Sequence, residues 1–87
     1  MRLAPAGYVE EKHNGRWVGQ HRLVMERHIG RPLLAMESVH HRNGDRADNR
    51  IENLELWAST HPPGQRVEDK VEHALYILGL YRPEALA

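Results

Sequence analysis

The sequence predicts an α+β fold in one small domain, and three observations predict it. An Asn14-Gly15 dipeptide sits between two short polar runs, the signal for a two-residue β-hairpin. Two stretches carry the helical period, Gln20 to Ile29 and the chain from Arg66 onward. Between them, Val39 to Arg42 and Leu54 to Trp57 read as strands on either side of a long polar loop.

Each element has a local reason. Met1 to Gly7 has no pattern and reads as a loose lead-in. Tyr8 to Val18 forms the hairpin, with a type I′ turn that sets His13 opposite Arg16, Lys12 opposite Trp17 and Glu11 opposite Val18. The first helix follows Gly19. It stops because Gly30 suits the left-handed residue past a helix end and Pro32 cannot continue the helix. His21, Val24, Met25 and His28 recur on one face of it. Leu33, Leu34 and Met36 then cross to the first central strand. Asn43-Gly44-Asp45 opens the polar loop with turn chemistry, and Ile51 and Leu54 return to the core. Trp17 and Trp57 are expected there too. Pro62-Pro63-Gly64 excludes a regular helix. The last helix carries Val67, Val71, Ala74, Leu75 and Leu78 on one apolar face, expected to pack inward, and ends near Gly79 and Pro83.

Composition narrows the function. The 87 residues contain no cysteine, which excludes disulfides and thiolate zinc sites. Any metal must use imidazole nitrogen or oxygen, and seven histidines are present. Twelve basic and twelve acidic residues cancel, but unevenly: nine Lys/Arg against six Asp/Glu in residues 1–50, three against six in 51–87. Phosphate contacts are therefore expected from the first half and from a few arginines, with weak affinity from counterion release. No apolar run is long enough to span a membrane and no secretory signal is visible, so a cytoplasmic protein is expected. Ser38 and Ser59 lack a nucleophile-elbow context, and no phosphate-cradling glycine motif occurs.

The chemistry concentrates in Val39 to His61, VHHRNGDRADNRIENLELWASTH. Neighbouring strand residues point to opposite sides, so His40 and His41 cannot easily share one ion. One can hold a metal while the other remains free. A free imidazole, with an ordinary pKa near ~6.5, can serve as a general base at neutral pH. Asn53 lies twelve residues after His41 and His61 eight after that. His61, just past the second strand, can return to meet His40, and two imidazoles leave an ion open positions for water and phosphate. By spacing alone, His61 as ligand and His61 as a polar residue before two prolines stand equal.

These residues, with H-R-L-V-M-E at His21 to Glu26 and I-E-N-L at Ile51 to Leu54, resemble the HNH endonuclease family in its small phage-type form. The resemblance runs from about Gly19 through the C-terminal helix. It implies a ββα-metal finger over residues 38–81, preceded by a lead-in and hairpin (1–18) and a helix with its connection (19–37). It assigns metal binding to His40 and His61, general-base catalysis to His41, and to Asn53 the bracing of the loop that orients the base. It implies one divalent ion, Mg²⁺ or Mn²⁺, with Zn²⁺ or Ni²⁺ compatible with imidazole. DNA phosphodiester hydrolysis with low sequence specificity follows, leaving a 5′ phosphate and a 3′ hydroxyl. Arg42, Arg46, Arg50 and Arg66 are the candidate phosphate contacts. Phage relatives often work beside the DNA-packaging terminase, which makes a packaging protein the expected partner. The alternatives are a non-catalytic accessory module and a toxin-type nuclease or RNase. One departure is the run His61-Pro62-Pro63-Gly64-Gln65-Arg66, where many relatives place the last ligand within a helix. Asp48 and Asn49 read as turn formers, His21 as a packing or hydrogen-bonding residue, and His13, His28 and His73 receive no role.

Overall fold

The computed structural model describes all 87 residues and has two helices and two small antiparallel sheets. In chain order they are β1 (Arg2–Leu3), β2 (Val9–His13), β3 (Arg16–Gly19), α1 (Gln20–Ile29), β4 (Glu37–His41), β5 (Leu54–Ala58) and α2 (Val67–Tyr81). Short 3₁₀ turns cover Ile51–Asn53 and Pro83–Leu86. The α+β class is as the sequence predicts.

The hairpin register follows from its turn. Asn14 and Gly15 take φ of 52° and 79°, the positive angles a type I′ turn requires. His13 then pairs with Arg16, Lys12 with Trp17 and Glu11 with Val18. The lead-in is not loose throughout: β1 adds to the hairpin edge, with Leu3 opposite Val9 and the Arg2 side chain bonded to Glu10 at 2.8 Å.

Helix α1 ends where expected. Gly30 adopts φ 78°, and its N–H reaches the Glu26 carbonyl at 2.9 Å. The buried side chains of α1 are Leu23 and Met25, and His28 is exposed. His28 lies in the last turn, where a polar, basic group is better placed in water beside the carbonyl end of the helix. Met25 meets Val39 of β4 and Leu54 of β5, with Val24, Ile29, Leu33, Ile51 and Leu56 packed around them. This small cluster is the core.

A buried carboxylate reinforces it. Glu37 begins β4 with its side chain fully covered and accepts two bonds from Arg31 at 2.7 and 2.9 Å, one from the Leu34 N–H at 2.8 Å and one from the Tyr81 hydroxyl at 2.8 Å. Those donors, Arg31 first, hold its pKa down to about 2 despite burial. Burial, then the Glu37 carboxylate, raises the Tyr81 phenol.

Helix α2 ends at Tyr81, between Gly79 and Pro83, as the sequence expects, but it departs from expectation in its packing. Its apolar face is turned to solvent: Val67, Val71 and Leu75 are 77, 52 and 50 % exposed. The segment 59–66 carries the chain away from β5, and α2 is tied back by the Tyr81–Glu37 bond at its far end and by a long 3.5 Å contact of His73 with Thr60. The radius of gyration, 15.8 Å, exceeds the roughly 12 Å of a compact chain this long, and the longest dimension is 47 Å. Trp17 and Trp57 are likewise not core residues. Arg2 and Lys12 cover the Trp17 ring at 4.2 and 5.8 Å, and Trp57 is half exposed, because no element packs on those sheet faces. Neither helix is long and apolar enough to cross a membrane.

Candidate active site

The β4–β5 hairpin has two unlike faces. Glu37 pairs with Ala58, Val39 with Leu56 and His41 with Leu54, and this face turns toward α1. Ser38 pairs with Trp57 and His40 with Glu55, and that face is open. His40 and His41 therefore stand on opposite sides, as strand alternation requires.

His41 is half-buried in a cleft of about 460 Å³ with Tyr8, His21, Arg22 and Arg46 on its walls, and Ser38 and His40 border the same cleft from the strand's other side. Its Nε2 lies 2.6 Å from Asn49 Oδ1, and Asn49 Nδ2 donates to Gln20 Oε1 at 2.8 Å. The His21 ring lies 5.1 Å from that of His41 and stacks on Tyr8 at 5.1 Å. Burial first, then the nearby His41 and Arg22, lowers the His21 pKa to about 4. His21 is thus a neutral wall of the cleft at neutral pH. Its Nδ1 is buried without a hydrogen-bond partner. Gly19 makes room for it, since a Cβ there would lie 2.6 Å from His21 Cε1.

The loop between the strands is held from within. Asn53 is buried; its Oδ1 accepts the Asn43 N–H at 3.2 Å, and its Nδ2 donates to Asn43 Oδ1 at 3.0 Å and to the Asp48 carbonyl at 2.8 Å. Its carbonyl accepts the Arg42 N–H at 2.8 Å, directly after His41. Asp48 is clamped by Arg50 through two 2.8 Å bonds and by Asn43 Nδ2 at 3.1 Å, which together depress its pKa strongly.

On the outer side the His40 ring stacks on Trp57 with centroids 3.8 Å apart, and its Nε2 lies 3.2 Å from Ser38 Oγ. Nδ1 makes no hydrogen bond, and the paired Glu55 brings a carboxylate to the same face. Exposed imidazole nitrogen with neighbouring oxygen suits a divalent ion that keeps water. His61 is exposed beyond β5 and makes no hydrogen bond. No three His, Asp or Glu side chains converge on one point, so protein ligands would leave most positions of an ion to solvent or substrate.

The four expected phosphate contacts divide. Arg42 pairs with Glu55 at 3.1 Å, Arg50 with Asp48 and Arg66 with Asp69, both at 2.8 Å. Arg46 has no carboxylate partner. It donates to the Ala6 carbonyl at 2.7 Å and lies 4.9 Å over the Tyr8 ring. Arg22, which sequence reasoning gave no such role, also lines the cleft without an ion pair. The uncompensated positive charge of the cleft thus comes from Arg22 and Arg46. In sequence, the hint was only the His-Arg dipeptide opening α1. Tyr8 and Asn49 were missed as well, because what brings them to His41 is the docking of separate elements.

A family model described as HNH endonuclease matches residues 18–61, just over half the chain, from the end of the first hairpin to the third histidine of the central stretch. No curated protein and no solved structure matches the chain.

Proposed function

The chain belongs to the HNH endonuclease family, and from that premise we propose that it is a divalent-metal-dependent endonuclease that hydrolyses DNA phosphodiester bonds. The observation that carries this reading is the surroundings of His41. Its imidazole faces a cleft whose two arginines have no carboxylate partner, and a hydrogen bond occupies only Nε2. Nδ1 is left to accept a proton from water. The resulting hydroxide attacks phosphorus in line, and the 3′ oxygen leaves, giving a 5′ phosphate and a 3′ hydroxyl. Arg22 and Arg46 hold the flanking phosphates at the rim. Asn53 keeps the loop closed behind the base.

His40 and His61 would hold the ion; the family reading implies Mg²⁺ or Mn²⁺ with several waters, and the imidazole donors also suit a later metal such as Zn²⁺ or Ni²⁺. When bound, the ion supplies a Lewis acid for a phosphate oxygen. His40 and His41 leave the strand on opposite sides yet border the same cleft, so one strand can present a ligand and a free base to one substrate phosphate. A packaging-complex partner that presents the DNA would suit a chain with zero net charge.

The test is plasmid nicking with Mg²⁺, Mn²⁺ or EDTA. Wild type should nick with metal and not with EDTA. His41→Ala should lose about 10²–10⁴ in rate while melting as wild type does. Metal-independent nicking, or wild-type nicking by His41→Ala, would refute the assignment.

A further inference from the structure

We propose that Asn49 and Gln20 are positioning residues that hold the His41 imidazole with its proton on Nε2 and its Nδ1 lone pair turned to the cleft; this rests on the reading of His41 as general base. The chain of contacts is short and directional. Gln20 Oε1 accepts from Asn49 Nδ2 at 2.8 Å, which fixes the amide of Asn49 with Oδ1 toward His41. A carbonyl oxygen can only accept, so His41 Nε2, 2.6 Å away, must donate. A neutral imidazole carries one proton, and with that proton on Nε2, Nδ1 is the basic nitrogen.

The rest of the loop makes the contact more telling. Asn43, Asp45 and Asp48 each spend a side-chain oxygen on a backbone N–H two residues on, the ordinary work of such residues in turns. Asn49 makes no such bond. Its half-buried side chain reaches outward instead, to His41 in one direction and to α1 in the other. Gln20 is the first residue of α1, so the helix that supplies His21 and Arg22 to the cleft walls also sets the base. The His21 and Tyr8 rings, 5.1 and 6.1 Å from the His41 ring, limit its rotation from the other side. The outcome is a base aimed before substrate arrives.

Imidazole nitrogen–proton correlation spectra of ¹⁵N-labelled full-length protein without added metal test this directly, with His41→Ala identifying the signals. The wild type should show a His41 proton on Nε2, protected from solvent exchange. Asn49→Ala should lose that protection, and its kcat for plasmid nicking should fall about 10- to 100-fold with KM unchanged. Asn49→Asp, which keeps an acceptor for His41 but gives up the bond to Gln20, should recover part of both. Gln20→Leu, outside the loop, should weaken protection without altering the loop. A wild-type proton on Nδ1, or full protection and full kcat in Asn49→Ala, would overturn the proposal. A wild-type protein that cleaves no DNA would sink the nuclease reading, and the Nε2 proton would still decide the positioning.

Discussion

His21 and Glu37 are two titratable side chains whose shifted pKa values make stability depend on pH in successive windows, and Asp48 and Asp69, lowered by Arg50 and Arg66, add to the acid side. His21 is held neutral, with its pKa lowered from 6.5 to about 4. Between those values the unfolded chain binds a proton that the folded chain refuses, so stability rises with pH across the window and falls on acidification. Glu37 is held ionised, its pKa lowered from 4.5 to about 2. Its contribution is complete above the upper value and is lost as pH falls through the lower one. Urea midpoints measured from neutral to acid pH should therefore decline in two limbs. His21→Gln should flatten the first limb only. A flat wild-type profile between pH 6.5 and about 4 would mean that His21 is not shielded from protonation. The identity of His40, His41, Asn53 and His61 as candidates was readable because they cluster in one stretch of fixed spacing. The surroundings of His41 were not. Asn49 meets Gln20 across 29 positions of sequence, and a polar loop residue offers no sign of such a reach.

At the scale of elements, those with local causes are as the sequence reads them. The Asn-Gly turn sets the register of β2 with β3, and Gly30 with Pro32 ends α1. The period of α2 was equally legible, but periodicity names a face without naming what covers it. Val67, Val71 and Leu75 meet water. The first turn of α2 is nonetheless well made, with Asp69 accepting the Arg66 N–H at 3.3 Å and two bonds from its guanidinium. The last turn depends on Tyr81. Tyr81→Phe removes the hydroxyl bond to Glu37, a hydrogen bond to a charged acceptor, and should cost about 1–3 kcal/mol. Chemical denaturation would measure the loss, and amide exchange should quicken around Leu78 to Tyr81 while β4 stays protected. Unchanged exchange in that turn would show that the hydroxyl does not anchor the helix.

For the whole molecule, charge is the governing quantity. Twelve basic and twelve acidic residues cancel, and of the four arginines expected to meet phosphate, Arg42, Arg50 and Arg66 already face a carboxylate. Arg22 and Arg46 remain. Each phosphate neutralised contributes roughly −0.9 to the slope of log affinity against log salt, so two contacts give a slope of about −2. Binding of His41→Ala to a short duplex, titrated from low to moderate salt at constant metal, measures it. A slope as steep as about −8 would require an extended basic surface, and neither face of this chain offers one. Sequence alone counted four arginines for this task, because ion pairs such as Arg50 with Asp48 emerge only when a loop closes on itself.

The stack of His40 on Trp57 has an optical consequence. An indole in van der Waals contact with an imidazole has its excited state sensitive to whatever that imidazole binds. Trp17, the other indole, sits on the separate N-terminal sheet beneath Arg2 and Lys12. The emission of this protein therefore divides into a channel that watches the open face of the hairpin and a channel that does not, and the chain carries its own indicator for events at His40.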